Sequence, residues 1–304
     1  MTFPASAGYG NLPNGVWDPV IYSADYLEFF RTISVVEEIT NTDYTGEIKD
    51  KGSSVKIMKE PLITVRPYER GTKIVPQDLL DEDITMVCDQ ANYTSFVVDD
   101  IEELFAHNAW ASKATSSAAY ALKNDYDQNV LTYMAGLGTN TTALGTGTDA
   151  APVTIGFNSG DTFTPLNYLA RMARILDEND VPEEGRFVTA NPIFYELLGN
   201  EDSKLIEVQV TGDRESLLRS RKIGARSIHG FTMLKSNNLT ASASAHKRIL
   251  FGHVSATATA KALTKDEVIR SAEFFGDMYR GLLVFGRKLL RPEALFTGHY
   301  DASF

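Results

Sequence analysis

The residue types that most often do chemistry are few in this chain, and their spacing forms no recognisable site. The five histidines are His107, His229, His246, His253 and His299. No two of them lie four residues apart, and none belongs to a His-Glu-x-x-His sequence, the spacing that places two rings on one helix face. We therefore predict surface or core histidines and no metal site.

The single cysteine, Cys88, excludes an intramolecular disulfide and a thiolate metal cluster. No histidine lies near it in the sequence, which favours a small packing residue over a nucleophile. Residues 81–83 are all acidic but lack the glycine and the alternating ligands of a calcium loop. The chain also has no phosphate-binding glycine loop, dinucleotide fingerprint or Gly-x-Ser-x-Gly sequence. We predict no catalytic residue and no cofactor, and therefore no enzyme.

The charge balance argues against a dedicated nucleic-acid binder, because the formal net charge is -11 and the pI is near 5.0. One basic cluster stands out against it: Arg214, Arg219, Arg221, Lys222 and Arg226. These residues could form a solvated helix face paired with Asp213 and Glu215. Alternatively, the arginines could pair with carboxylates of a second copy near a symmetry axis. The sequence leaves both interpretations open.

The chain shows no membrane or export signal. No apolar stretch approaches the ~20 residues that span a bilayer. The first residues have neither a basic segment nor an apolar core of the kind found in signal peptides. We expect a protein that is synthesised and kept in a reducing cytosol.

The first third of the chain predicts two extensions with little core of their own. Residues 1–45 read as an arm, rich in Gly, Pro and Asn at its start and containing a short helix that docks on another element. Residues 46–75 read as a long β-hairpin, with alternating apolar residues from 53 to 58 and a second apolar run from 62 to 65. A two-stranded ribbon is marginally stable alone, so this one needs a surface from the chain itself or from another copy.

A long helix is predicted over residues 99–135, which contain neither proline nor glycine. Asp99 or Asp100 would cap its start, and Gly136 and Gly138 would end it. Apolar residues follow at intervals of four near its end: Leu122, Tyr126, Val130 and Met134. At 1.5 Å per residue the helix would run roughly 55 Å, longer than a small domain is wide. We interpret it as the spine of a flat, elongated subunit.

The second half of the chain predicts a compact α+β region. Thr164 and Pro165 are typical of a helix start, and an amphipathic pattern follows to about residue 179. A strand is predicted over residues 186–189, and Asn191 with Pro192 would open a further helix that ends at Gly199. Residues 282–285 are predicted to form a buried strand.

Three local sequences, in this order, are similar to those of one known family. They are LDENDVPEEGRFVTANPIFYELL over residues 176–198, a G…I-x-G-F…S-N-N-L pattern over residues 224–239, and a closing pattern of Gly286 followed by Arg291, Pro292 and Glu293. With the arm, the loop, the spine helix and the α+β region, they resemble the major capsid protein of tailed bacteriophages. The resemblance covers nearly the whole chain.

The resemblance implies the α+β fold of the HK97-type capsid proteins. It divides the chain into an N-terminal arm (1–45), an extended β-hairpin loop (46–75), a peripheral domain (76–163 and 265–304) that contains the spine helix (99–135), and an axial domain (164–264). The axial domain of this family meets its copies around five-fold and six-fold axes.

The implied function is structural. Copies of the chain would assemble as hexamers and pentamers into an icosahedral or prolate shell that encloses double-stranded DNA without sequence-specific binding. Assembly would take place in the host cytoplasm, and the protein would end in the virion. The implied partners are a separate scaffolding protein, a portal and decoration proteins. No contact with a membrane is implied. Candidate residues for contacts between subunits are Lys56, Lys59, Tyr68, Arg70, Arg214, Arg219, Arg221 and Arg226.

Two other functions remain open at this point. The same fold could serve as an encapsulin-like cellular compartment, which would need a cargo-docking groove and a co-encoded enzyme. A cytosolic enzyme or binding module with an unrecognised site belongs to a different class and would be a stable monomer that turns over or binds a ligand.

Overall fold

A computed structural model describes residues 31–45, 54–61, 63–71, 73–78, 83–100, 110–138, 151–200, 228–241, 246–271 and 275–303. The helices are α1 (Val36–Ile39), α2 (Trp110–Leu137), α3 (Pro165–Glu178) and α4 (Pro192–Leu198). The first strands are β1 (Ser54–Met58), β2 (Asp83–Val87), β3 (Gln90–Asp99), β4 (Val153–Ile155) and β5 (Arg186–Ala190). The others are β6 (Thr232–Lys235), β7 (Lys247–His253), β8 (Thr257–Arg270), β9 (Gly276–Leu289) and β10 (Leu295–Ala302). This is a mixed α+β protein.

A five-stranded sheet in the order β4-β10-β7-β5-β6 carries most of the core. β4 runs parallel to β10 and β5 parallel to β6, whereas β7 is antiparallel to both of its neighbours. Phe251 of β7 stacks on Phe296 of β10, and Phe194 of α4 meets Tyr300 edge-on. The sheet combines β5, β6 and β7 with β4 and β10, which lie outside the predicted axial segment 164–264. The core therefore runs across both boundaries of that segment.

The two helices beside this sheet begin where the sequence predicts. The Thr164 side chain accepts a hydrogen bond from the Asn167 amide, and Pro165 takes the first helical position, where a missing N–H costs nothing. The Asn191 side chain accepts in the same way from the Phe194 amide, ahead of Pro192. Both predicted starts are confirmed, and so is the end of α4 at Gly199.

The predicted spine helix is confirmed over Trp110–Leu137, which spans about 42 Å at 1.5 Å per residue. Residues 101–109 lie outside the described residues. Asp99 is the last residue of β3, where it pairs with Gly276, so Asp99 itself is not part of the helix. At the other end, a Cβ on Gly138 would lie 2.1 Å from Thr297 Oγ1. Glycine there lets the helix end lie directly against β10.

The predicted hairpin within residues 46–75 has the wrong second strand. β1 pairs with β2, from Ser54 opposite Val87 to Met58 opposite Asp83, and the described residues 63–65 form no strand. The physical reason is burial. β2 supplies Met86, which is fully buried beside Ala258 and Ala260 of β8, whereas the side chains of residues 63–65 are exposed. The ribbon is therefore closed by a strand that lies beyond the predicted segment.

A three-stranded antiparallel sheet, β3-β9-β8, packs one face on α2. Tyr126 of α2 meets Phe285 of β9 edge-on, with ring centroids 4.9 Å apart. The predicted buried strand at residues 282–285 is part of β9, where Leu283 and Phe285 are buried. Among the described residues, no helix is long and apolar enough to cross a membrane.

Candidate assembly surfaces

The first candidate surface is the segment 63–78, here called the loop surface. All of its described side chains are exposed, and five of them are large and apolar: Ile63, Val65, Tyr68, Ile74 and Val75. Val65 is 93% exposed, although burying such a side chain is worth about 1.5–3 kcal/mol. A hydrogen bond from the Thr64 amide to Gln77 Oε1, 3.1 Å long, links the beginning of this segment to its end. The loop surface therefore has apolar area to bury, and no described part of the chain covers it.

The predicted contact residues of this region divide into two groups. Lys56 lies in β1 and pairs with Asp83 across the ribbon at 2.8 Å, which raises the pKa of the lysine and lowers that of the aspartate through their shared hydrogen bond. Lys59, just after β1, lines a cavity of about 400 Å³ together with Glu60 and Glu293. Tyr68 and Arg70 are exposed on the loop surface. The structure thus places one candidate within β1, one just after it and two farther along the loop.

The four remaining candidates, Arg214, Arg219, Arg221 and Arg226, lie outside the described residues.

The ribbon is held at its root by a small apolar cluster. Met86, Ala258 and Ala260 are buried there, with Cys88 packed beside them. A Cβ on Gly286 would lie 2.8 Å from Cys88 Sγ, so the glycine of the closing pattern makes room for the end of the ribbon. Burial raises the pKa of the Cys88 thiol, and Asp89 adds to this effect. Cys88 therefore acts as a packing residue in a joint between the ribbon and the three-stranded sheet.

The second candidate surface is the face of the three-stranded sheet that points away from α2, here called the sheet face. It exposes Tyr93 and Val97 of β3 and Ile269 of β8. At its centre Glu267 accepts hydrogen bonds from Arg280 at 2.9 Å and forms an ion pair with Lys265. These two cations lower the pKa of the Glu267 carboxyl, Lys265 most strongly.

The sheet face also contains a groove of about 430 Å³, lined among others by Met278 and Leu282. Our sequence analysis missed this surface. The alternation Tyr93, Ser95, Val97 signals a strand with an exposed side, but nothing in the sequence tells which face α2 covers.

A third exposed patch lies at the turn between β8 and β9. Phe275 and Val268 are 79% and 59% exposed there. The ends of the two strands are linked by charge, because Arg270 of β8 bonds to Asp100 and, at 3.2 Å, to Asp277 of β9. An exposed aromatic side chain beside such a fixed strand end is typical of a surface that another chain covers.

The sequence patterns shared with the capsid family have structural roles. In the 176–198 segment, Gly185 has a φ of +85°, a conformation that side chains rarely adopt. The next residue, Arg186, is buried and donates to the carbonyls of Pro182, at 2.9 Å, and Val181, while pairing with Asp177 at 2.7 Å. Arg186 thereby fixes the turn between α3 and β5.

The S-N-N-L sequence fixes a second connection. The Ser236 hydroxyl accepts from the Asn238 amide at 3.1 Å, and the Asn238 side chain donates to Asn124 and Asp127 of α2. Leu239 is buried in the main core. These residues hold the chain after β6 on the spine helix, and none of them is arranged for catalysis.

The polar groups of the described residues show no metal arrangement: no three His, Cys, Asp or Glu side chains there are placed to hold an ion. His246 bonds to Asp301 at 2.8 Å, and His299 is buried and accepts from Arg248. His253 bonds to the Glu184 carbonyl at 2.7 Å, next to Gly185. Each of these three histidines has a structural partner.

Comparison with known proteins gives one consistent result. No family model and no curated protein matches the chain. A solved structure named Mycobacterium phage Che8 matches with a TM-score of 0.77 and 25% identity over 92% of this chain and 96% of the other.

The capsid structure of the cyanophage P-SCSP1u matches with a TM-score of 0.68 and 20% identity over 94% and 93% of the two chains. The capsid of Ralstonia phage GP4 matches with a TM-score of 0.64 and 12% identity over 98% and 99%. The fold is thus shared with these phage structures over nearly the full length of each chain.

Proposed function

We propose that this chain, which has the fold of the phage capsid proteins, is a structural major capsid protein that assembles with copies of itself into a closed shell. The observation that carries the proposal is the match to phage capsid structures over more than nine-tenths of the chain. The exposed apolar loop surface supports it, because apolar area of this kind is buried when subunits assemble.

We propose that the chain has the domain organisation of the HK97-type capsid proteins. The loop (46–75) would reach over a neighbour, the segments 76–163 and 265–304 would form the peripheral domain around α2, and the segment 164–264 would form the axial domain. The continuation of the five-stranded sheet into β4 and β10 supports a rigid link between the two domains. The peripheral and axial domains of one subunit would then keep a fixed relative orientation when subunits pack around a symmetry axis.

The proposed shell consists of hexamers and pentamers and encloses double-stranded DNA. The net charge of -11 supports enclosure without tight binding, since few phosphates could be neutralised. A scaffolding protein, a portal and decoration proteins are proposed partners, with assembly in the host cytoplasm and the virion as the final location. The phage origin of the structural neighbours favours this function over a cellular compartment, and over an enzyme or binding module.

The loop surface provides the most direct test. Replacing Ile63, Val65 and Tyr68 together by serine removes apolar area that no other described part of the chain covers, so the subunit is expected to fold with an unchanged melting temperature. Particle formation, followed by size-exclusion chromatography and negative-stain microscopy, is expected to fall at least about tenfold. The matched control replaces the same residues by Val, Ile and Phe and should assemble normally. Normal assembly of the serine variant would contradict the proposal.

The arginine cluster is proposed to pair with carboxylates of a neighbouring subunit. Exposed acids are available in the turn after α3, at Asp180, Glu183 and Glu184. Arg221→Glu is expected to reduce particle yield, whereas the control Arg221→Lys retains the positive charge and should retain most of it. A charge reversal with full particle yield would reject this contact.

A further inference from the structure

A buried carboxylate in the middle of the spine helix joins three separate parts of the chain. Asp127 of α2 has no exposed surface. Its Oδ1 accepts hydrogen bonds from the Ser34 hydroxyl at 2.8 Å and from the amides of Val35 and Val36 at 3.0 and 3.1 Å. Its Oδ2 accepts from Asn238 Nδ2 at 2.8 Å. The four donors come from the described end of the arm and from the chain that follows β6.

Asp127 caps the N-terminus of α1, a role that a residue just before the helix normally has. The first amides of a helix have no partner within it, and a Ser, Thr, Asp or Asn just before the helix normally accepts from them. Here that position is Val35, which has no side chain that can accept. Asp127, 91 residues away from Val36, provides the acceptor instead. A helix of four residues cannot persist alone, so its position depends on this contact and on the burial of Val36 and Ile39.

The contacts upstream of Ser34 are less buried than those at Asp127 and involve uncharged acceptors. Arg31 donates to the Ser116 hydroxyl at 2.9 Å, and the Thr32 amide donates to the Tyr120 hydroxyl at 2.7 Å. Both partners lie on the same side of α2 as Asp127, seven and eleven residues before it. The segment from 31 to 36 therefore runs along the helix, with Asp127 as its buried attachment.

We propose that Asp127 is a positioning residue for assembly: it fixes residues 34–36 of the arm on α2 and holds them in register with the chain after β6. The proposal rests on the shell function proposed above. Because Asn238 also donates to Asn124 at 2.9 Å, the chain after β6 stays on α2 when the carboxylate is lost, whereas the amides of residues 35 and 36 lose their charged acceptor. Loss of Asp127 is thus expected to release the arm and leave the fold in place.

The test compares Asp127→Asn with Asp125→Asn, an exposed carboxylate one half-turn away that binds Asn92 instead. Hydrogen exchange at the amides of residues 35 and 36 should accelerate at least about tenfold in Asp127→Asn, because hydrogen bonds to charged groups are the stronger ones. The yield of closed particles should fall by a similar factor. Asp125→Asn should change neither quantity.

Two further variants separate positioning from simple loss of stability. Leu197 lies on α4 and is fully buried in the main core. Leu197→Ala should lower the melting temperature of the subunit without touching the contacts of Asp127, and it should leave particle yield intact at temperatures where the variant is folded. The exchanged pair Asp127→Asn with Asn238→Asp restores one carboxylate to the junction and should recover part of the yield. If Asp127→Asn fails to fold, Ser34→Ala removes one of the three hydrogen bonds to Oδ1, directly before residues 35 and 36, and should still accelerate exchange there.

Unchanged exchange at residues 35 and 36, or normal particles from a variant whose exchange has accelerated, would overturn the positioning role. A particle yield that falls equally in Leu197→Ala would also overturn it. If the unmodified chain formed no particles at all, the shell function would fail, while the exchange rates would still show whether Asp127 holds the arm.

Discussion

The five-stranded sheet buries its apolar residues, whereas the loop surface exposes them to solvent. In the sheet, every residue of β5 is buried, and Phe251 has neighbours on both adjacent strands. In the loop surface, residues as apolar as Val65 are almost fully exposed. The sheet buries its apolar side chains within the subunit, whereas the apolar side chains of the loop surface can be buried only against another molecule or another part of the chain. Under the proposed shell function, folding and assembly would use different residues of this chain.

The root of the ribbon lies between these extremes. Met86 is buried against Ala258 and Ala260 of β8, with the half-buried side chains of Val55, Ile57 and Leu290 packed beside this cluster, and β1 and β2 otherwise alternate between exposed and half-buried side chains. The ribbon is therefore attached to the subunit through a small cluster of its own and contributes little to the main core. Substitutions in the three regions should separate an effect on folding from an effect on assembly.

The largest effect on folding is expected in the five-stranded sheet. Phe251→Ala removes a ring that stacks on Phe296 at 5.4 Å and leaves a cavity between two strands. Large-to-small substitutions of buried aromatic residues cost about 3–5 kcal/mol. Chemical unfolding of the subunit, under conditions that prevent assembly, should show a loss of this size. A loss below about 1 kcal/mol would mean that this sheet is not the stable part of the molecule.

An intermediate effect is expected at the root of the ribbon. Met86→Ala should lower the free energy of unfolding by about 2 kcal/mol, the low end for a buried methionine, because the half-buried side chains beside it, among them Ile57 and Leu290, can partly fill the space. Hydrogen exchange in β1 and β2 should accelerate, while exchange in β5 and β7 stays unchanged. The conservative variant Met86→Leu keeps the volume and serves as the control. Equal acceleration in all four strands would show that the root is part of the main core.

The smallest effect on folding, but a large one on assembly, is expected on the loop surface. Val65→Ser should change the free energy of unfolding by less than about 0.5 kcal/mol, as is usual for an exposed side chain. Particle yield should nevertheless fall, since an apolar anchor at an interface is lost. Val65→Ile is the matched control. A destabilised monomer would show that the loop is covered within its own subunit and would remove the contrast drawn above.

A minor effect, visible mainly through pH, is expected where the arm meets β8. Glu37 pairs with Lys261, and their hydrogen bond lowers the pKa of the Glu37 carboxyl from its usual value of 4.5. A lowered pKa in the folded state means that the pair stabilises the fold above pH 4.5 and that this contribution is lost as the pH falls through the folded value. In Lys261→Met an NMR titration should show the Glu37 pKa returning toward 4.5. An unchanged pKa would indicate that the pair does not persist in solution.

The sequence predicted the regular elements well wherever a local signal exists. Thr164 with Pro165 and Asn191 with Pro192 carry helix starts in their own side chains, and the absence of proline and glycine marks the spine helix. Strand pairing was harder to predict, because the partner of β1 is chosen by the burial of Met86 on β8, a contact between residues far apart in the sequence. The sheet face and the Asp127 junction were missed for the same reason. The acceptor for α1 comes from another helix, and no local pattern reveals it.

The central claim is that this chain forms closed shells through copies of itself. The most direct measurement is electron microscopy of the purified chain after size-exclusion chromatography. Our account predicts closed particles in which copies meet as rings of five and six and the loop surface of each subunit is covered by a neighbour. A chain that stays monomeric at every concentration, with residues 63–78 still exposed to exchange, would contradict it.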